Sequence, residues 1–418
     1  MVKENKMRNR LENWPPYILF LICIFVLAPQ DVFGQTINPG GTFRYQGQVK
    51  CSDCPLPPPC PLCPTPALAP RPASTPAPKL TPAFTPMPTP KPTPVPVPTP
   101  SSRVVCSKTV SSGQSILSAA NGAANGQTVC VRSGTYRECG DLTKAVKLVS
   151  HPGNTVLPVI DQNATSSDNC RLRLKPSSAG AVIDGFEIRD GWEGLKIEAD
   201  NITVRNSIIR DNRHGILAIS VNNLTLENNK FVNNGNKSLC AASGLMPKQC
   251  HNIYINNSSC KPMTGSVIRN NVIEYAPGMG INLRGENCGT YPIDGIVIEG
   301  NSFINNAYGI GSYKNITNPT FKDNSFSVSK LPATNHKYPS HIGLWETSGL
   351  VMTGNTLMSS LANHYAIWVS DEQSKKQKEV NGNSWKAAGN RWKWGRSRND
   401  FKSAYKRTTG WDKSGTVN

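Results

Sequence analysis

The stretch Asn201–Gly235, NITVRNSIIRDNRHGILAISVNNLTLENNKFVNNG, holds one sequence unit and most of a second. NITVRNSIIRDN is echoed by NLTLENNKFVNN, and again downstream by SVIRNNVIEYA, IVIEGNSFINN, PTFKDNSFSVS and LVMTGNTLMSS. One column of the repeat holds Ser207, Asn229, Asn271, Asn301, Asn324, Asn355 and Asn383, at successive spacings of 22, 42, 30, 23, 31 and 28 residues. A basic period near 22 with insertions of variable length marks a solenoid, whose units bury their apolar faces only by stacking on one another.

Each unit is two or three short runs of alternating Val, Ile, Leu and Phe broken by Asn, Gly and Asp. Alternation with period 2 and β-branched residues gives strands, and the Asn/Gly breaks give tight turns. Helical repeats are excluded, since no window sustains apolar residues at i, i+3 and i+4. The expectation is an all-β, parallel β-helix with three short strands per coil. One Asn per coil at the same corner is expected to hydrogen-bond along the stack and to the turn backbone.

The corners Gly300-Asn301-Ser302-Phe303 and Gly354-Asn355-Thr356-Leu357 carry a resemblance to the pectate-lyase-like right-handed parallel β-helix proteins. So do the strand openings Gly215-Ile216, Gly280-Ile281 and Gly309-Ile310. The run from Ser115 to Asn121, followed by Gly126 to Tyr136, is similar to the entry of such domains, a short capping helix and then a first strand. The segment Asn390 to Trp394, with Phe401, Tyr405, Gly410 and Asp412, is similar to their closing tail. The resemblance covers residues 104–418. It is specific for fold and not for chemistry, because one fold hosts many functions.

Residues 1–34 read as a signal peptide: Lys3, Lys6, Arg8 and Arg10 precede the apolar run Tyr17 to Ala28, and Val32-Phe33-Gly34 offers a cleavage site. The run is short for a membrane span, so no stable span is expected after cleavage, and the chain is expected to be secreted, periplasmic or held at the cell surface. Residues 35–63 carry Cys51, Cys54, Cys60 and Cys63. Five residues, four of them Pro, separate the two CxxC pairs, which leaves no room for a zinc knuckle, and no metal is assigned. Residues 55–100 hold 20 of the 34 prolines, so 64–103 is expected to be an extended Pro/Thr-rich linker. At roughly 3.1 Å per residue it would reach on the order of 100 Å.

Eight of the 13 cysteines fall in residues 104–418, an even count that favours disulfides in an exported chain. Cys240 and Cys250 share one insertion, and Cys260 and Cys288 fall in like loops one coil apart, so the expected pairs are Cys240–Cys250 and Cys260–Cys288. The pairing of the other four stays open. The net charge of +18 suits an acidic partner, an acidic polysaccharide or cell-surface glycan. Nothing resembles a nucleic-acid module. The oligomeric state is left open.

The strands expected to line a groove are Gly194–Glu198, Gly215–Ser220, Asn252–Asn256, Gly280–Arg284, Gly309–Lys314, His341–Glu346 and Tyr365–Asp371. The insertions 235–251, 257–265, 285–294 and 327–340 flank this set, so they would wall one face and leave two bare. Alternation turns Lys196, Tyr254, Asn282, Arg284, Tyr313, Trp345 and Trp368 outward. The aromatics Tyr254, Tyr313, Trp345 and Trp368 suggest a platform for sugar rings, with packing under the loops as the other reading. Asn282 shares that face as a substrate-binding residue.

A lyase on a uronate polymer needs a base for the proton α to the carboxylate, and an Arg or a cation to neutralise that carboxylate. Arg284 suits the carboxylate. His214 is the candidate acid or base. Lys196 is the third candidate, although pairing with Glu198 would take it out of the chemistry. Calcium is the one cofactor this chemistry leaves open. The Asp sets of galacturonan hydrolases, the best-known pectate-lyase strings and the epimerase Asp-Pro-His-Asp are all missing. Two readings therefore stand: a lyase-like enzyme on an acidic polysaccharide, and a non-catalytic stalked surface protein that binds glycan or adheres.

Overall fold

The computed structural model describes residues 104–163, 170–235, 237–242, 246–334, 336, 338–371, 374, 377–387, 391–394, 397–400 and 416–417. The signal segment, the cysteine segment and the proline linker (1–103) lie outside the described residues. The repeat folds as expected, into a right-handed parallel β-helix. Three parallel sheets run its length, each coil giving one short strand to each sheet. The first sheet runs from Lys108–Val110 to Glu379–Asn381 and the second from Thr135–Tyr136 to Thr416–Val417. The third starts at Gly140–Leu142 and includes the groove strands.

The entry differs in one detail. A strand, Lys108–Val110, precedes the capping helix α1 (Ile116–Asn121), and the disulfide Cys106–Cys130 ties it to the next coil. Ser115 caps the helix, its side chain accepting the Ser118 amide hydrogen. At the far end, Arg391–Trp394 turns back and pairs antiparallel with Ser397–Asp400.

The corners explain why the sequence repeats a dipeptide rather than a lone Asn. The residue before each column position takes a positive φ: Asn206 53°, Asn228 56°, Asn270 55°, Gly300 64°, Asp323 53°, Gly354 68° and Gly382 67°. Only Gly, Asn and Asp enter this region readily. The chain therefore turns inward, and the next side chain joins a buried ladder. Asn229 Oδ1 accepts the Ser207 amide, Asn271 Oδ1 that of Asn229, and the chain continues through Asn301, Asn324 and Asn355 to Asn383, with N···O distances of 2.9–3.1 Å. A second ladder at another corner joins Asn212, Asn234 and Asn252.

Inside the coils, apolar columns follow the register. Ile253, Ile281, Ile310, Ile342 and Ile367 stack in the third sheet, and the rings of Phe303 and Phe326 stack at 4.5 Å. Outside, the first sheet carries a column of alternating charge, Asp184, Arg205, Glu227, Arg269, Glu299 and Lys322, each in register with the next. Arg205 bonds Asp184 at 2.8 Å, and Arg269 bonds Glu227 at 2.7 Å. From Asp184 to Arg269 the column pairs its own charges.

Candidate functional site

The third sheet presents its outer face along Glu193–Ile197, His214–Ile219, Ile253–Asn256, Met279–Arg284, Tyr308–Thr317, Ser340–Ser348 and Tyr365–Val369. These are the expected strands to within a few residues. The cysteine pairs Cys240–Cys250 and Cys260–Cys288 are bonded, as are Cys106–Cys130 and Cys139–Cys170. The first two pairs tie insertions back to the rim of this sheet. Cys250 leads directly into His251 and the next groove strand.

Side chains on this face fall into rows across the coils. The middle row reads Lys196, Leu217, Tyr254, Asn282, Gly311, Gly343 and Trp368. A row towards the strand C-termini holds Asn256, Arg284, Tyr313 and Trp345. The aromatics do not form the flat platform that alternation suggests. Gly311 and Gly343 leave a bare strip of sheet, and neighbouring rings lie down on it. A Cβ at Gly311 would stand 2.4 Å from Met279 Sδ and 2.5 Å from Tyr313 Cε2, and one at Gly343 would stand 3.0 Å from Tyr308 Cε1. Tyr313 is thus half-buried against the sheet, and burial pushes its phenol pKa up. Trp345 lies over it at 5.6 Å and Trp368 meets Trp345 edge to face at 5.6 Å. Trp345, 39% exposed, is the ring this cluster offers to solvent.

Two insertions bring in residues that period counting missed. Tyr308 packs against His336 at 4.6 Å, and Tyr338 against Trp368 at 5.9 Å. His336 Nε2 and Trp368 Nε1 are enclosed without a hydrogen-bond partner. Beside them lies a histidine pair. His214 and His251 stack at 5.5 Å, with Tyr254 against them at 5.7 and 5.2 Å. His214 Nδ1 accepts the backbone N–H of His251 at 3.1 Å, and His251 Nδ1 accepts that of Met279 at 3.0 Å. His251 could have been found from the sequence, because it precedes Asn252 as His214 precedes Gly215.

Both rings are fully enclosed, which makes a charged imidazole costly. Burial drives the pKa of His214 well below its ordinary value, helped by His251 and Arg213. Burial, with repulsion from His336 and Arg284, takes His251 down to about 3. His214 is therefore a neutral, backbone-anchored support for Tyr254 rather than an open base. His341 and His364, at the openings of later strands, pack against each other at 4.4 Å, and His341 lies 5.7 Å from the core ring of Phe326.

Lys196 bonds Glu198 at 2.8 Å, and Arg173 bonds the same carboxylate at 2.9 Å, so Lys196 is engaged away from the histidine pair. In register, the partner of Arg284 on the preceding coil is Asn256, and Tyr254 faces Asn282. Arg284 is 46% exposed and bonds Glu286 at 2.8 Å. An ion pair this open is worth about 1 kcal/mol or less, so an incoming carboxylate can replace Glu286. The site thus assembles Tyr254, Asn282 and Arg284 over a neutral His214–His251 base, with the Tyr308–Tyr313–Trp345–Trp368 cluster on the three coils that follow.

The family model described as "Periplasmic copper-binding protein (NosD)" matches residues 120–393. No curated protein matches the chain. Among solved structures, an α-1,3-glucanase of Streptomyces thermodiastaticus is similar at 17% identity and a TM-score of 0.45, over 64% of this chain and 49% of that one. The chain thus spans about half that structure's length. An alginate lyase of a Paenibacillus species shows 14% identity and a TM-score of 0.37, over 69% and 96% of the two chains. The A-module of a mannuronan C-5 epimerase of Azotobacter vinelandii shows 16% identity and a TM-score of 0.37, over 72% and 92%.

Proposed function

Starting from the fact that this chain belongs to the NosD family of periplasmic copper-binding proteins, we propose that it is an exported protein whose working face is the insertion-walled sheet, where it binds an acidic polysaccharide and cleaves it by β-elimination. The family description raises copper first, and the residues do not fit it. Copper is held by imidazole, thioether or thiolate groups with lone pairs to give. All eight cysteines of residues 104–418 are in disulfides. His214 and His251 spend Nδ1 on backbone amides, and Met263 and Met352 lie in the core. Among the described residues no group of three His, Cys, Asp or Glu could hold a metal ion.

The observation that carries the glycan reading is the clustering of Tyr254, Asn282 and Arg284 on the one face walled by insertions. β-Elimination removes the proton α to a uronate carboxylate and expels the glycosidic oxygen from the neighbouring carbon. The electron pair of the broken C–H bond becomes the new C=C bond, and the leaving oxygen takes a proton. Arg284 would neutralise the carboxylate and so acidify that proton. Tyr254, backed by two uncharged rings, would move protons. Trp345 would stack a sugar ring further along the groove.

The test is absorbance in the unsaturated-uronate band, with the full chain incubated on a panel of polyuronates, with calcium and with chelator. One polymer is expected to give a rising trace, and Arg284→Ala to slow it by about 100-fold or more. A flat trace over the whole panel would end the enzyme reading. Retention on an acidic-glycan column would then support the second reading, a stalked glycan-binding surface protein. The enclosure of both histidines favours that second reading, because it leaves the face without an exposed imidazole base.

A further inference from the structure

Asn282 lies at the centre of the proposed site, 6% exposed, with Oδ1 enclosed and without a partner while Nδ2 lies 2.9 Å from His251 Nε2. A buried polar atom left in this way calls for a ligand or a different hydrogen-bond assignment. His251 decides which. Its Nδ1 accepts the Met279 amide hydrogen at 3.0 Å and so carries no proton. A neutral imidazole has one proton, which therefore sits on Nε2. An NH2 group facing that N–H would set donor against donor. The amide oxygen and nitrogen of Asn occupy nearly the same space, so the bond forms with Oδ1 accepting from His251 Nε2. The NH2 group then takes the enclosed place where Oδ1 met no donor.

We propose that His251 is a positioning residue: it fixes the Asn282 amide with its NH2 group away from the ring, in an enclosed place that a ligand carboxylate reaches when it takes Arg284 from Glu286, so that the two donors hold it together. This rests on the glycan reading above and extends it to specificity. Asn282 and Arg284 stand two apart on the strand Met279–Arg284 and so share one face. Two donors side by side suit an oxyanion, and a hydroxyl would satisfy them less well. The Cys240–Cys250 bond, adjoining His251 in sequence, anchors the insertion that supplies the ring.

The test has two arms, both on the full chain. Long-range proton–nitrogen correlation spectra of histidine-labelled protein, with His251 assigned through H251Q, are expected to show the proton on Nε2. A proton on Nδ1 would overturn the proposal. In the second arm, titration calorimetry compares a polyuronate with its carboxyl-reduced, neutral counterpart. Asn282→Asp keeps the bond to His251 but meets the uronate with like charge, and is expected to weaken the polyuronate by about tenfold or more while leaving the neutral polymer unchanged. H251Q, which can present NH2 where Nε2 lies, is expected to bind the polyuronate as wild type does. His251→Asn, which reaches only the Nδ1 position, is expected to lose it with an unchanged melting temperature. Equal losses for both polymers, or for both His251 variants, would reduce His251 to a packing residue. A wild-type chain that binds neither polymer would remove the glycan reading itself, and the carboxylate role with it, whatever the spectra show.

Discussion

Acidification is expected to unfold the β-helix over a narrow interval, centred at about pH 4.5 to 5.5. His214, His251, His336, His341 and His364 are held uncharged, in each case chiefly by burial, with folded pKa values of about 3 for His251 and His364 and about 4 for His336. The unfolded chain titrates near 6.5, so below that pH it binds protons that the folded chain refuses. The stabilisation is complete above about pH 6.5 and is lost as the pH falls towards the folded values. Each histidine then costs about 1.4 kcal/mol per pH unit, and five together about 7 kcal/mol at the steepest. Stabilities of 5–15 kcal/mol are ordinary for a domain, so one to two pH units suffice. Circular dichroism across a pH series measures this, with His364→Leu expected to move the midpoint down. Native spectra retained to pH 3 would mean that the rings accept protons without opening the coils.

Asn301→Leu is expected to destabilise the solenoid by about 3–5 kcal/mol, an exceptional value for one substitution. Its side chain donates to the carbonyls of Ile268 and Glu299 and to Asn324 Oδ1, and it accepts the Asn271 amide, all between 2.9 and 3.1 Å. Leu fills the space but leaves at least the Asn271 N–H and the Ile268 carbonyl buried and unmet, each at about 1–3 kcal/mol. Asn223→Gly is the control, because Asn223 sits at a φ of 53° that Gly adopts and Ala resists. Asn223 donates to Asn201 Oδ1 at 2.9 Å in an exposed setting, and its loss is expected to cost about 1 kcal/mol or less. Denaturant unfolding of the two variants beside wild type decides the matter, and equal midpoints would show that the ladder records the coil geometry without holding it.

The coil period was legible because the dipeptides at the corners obey a steric rule that few residue types satisfy. Asn270-Asn271, Gly300-Asn301 and Asp323-Asn324 differ in sequence and share one backbone. The groove strands were legible for a related reason: strict alternation assigns Ile281 and Leu283 inward once Asn282 is outward. What alternation could not convey is where an outward side chain comes to rest. Tyr313 points out of the sheet in register, yet it folds back because Gly311 and Gly343 put nothing in its way. His251 and His336 arrive from insertions whose paths no periodicity encodes. The Nδ1 lone pair of His214 is spent on a backbone amide 37 residues away.

The column Asp184, Arg205, Glu227, Arg269, Glu299 and Lys322 restricts how such a protein can lengthen. Solenoids grow when a stretch of gene is copied in tandem. Copying one coil of this stretch would set a charge beside its own duplicate, acid on acid or base on base, along a row only about 4.8 Å between strands. Copying two coils restores the alternation. The row behaves as a parity check on inheritance, and β-helices sharing it should differ by even numbers of coils within the charged stretch.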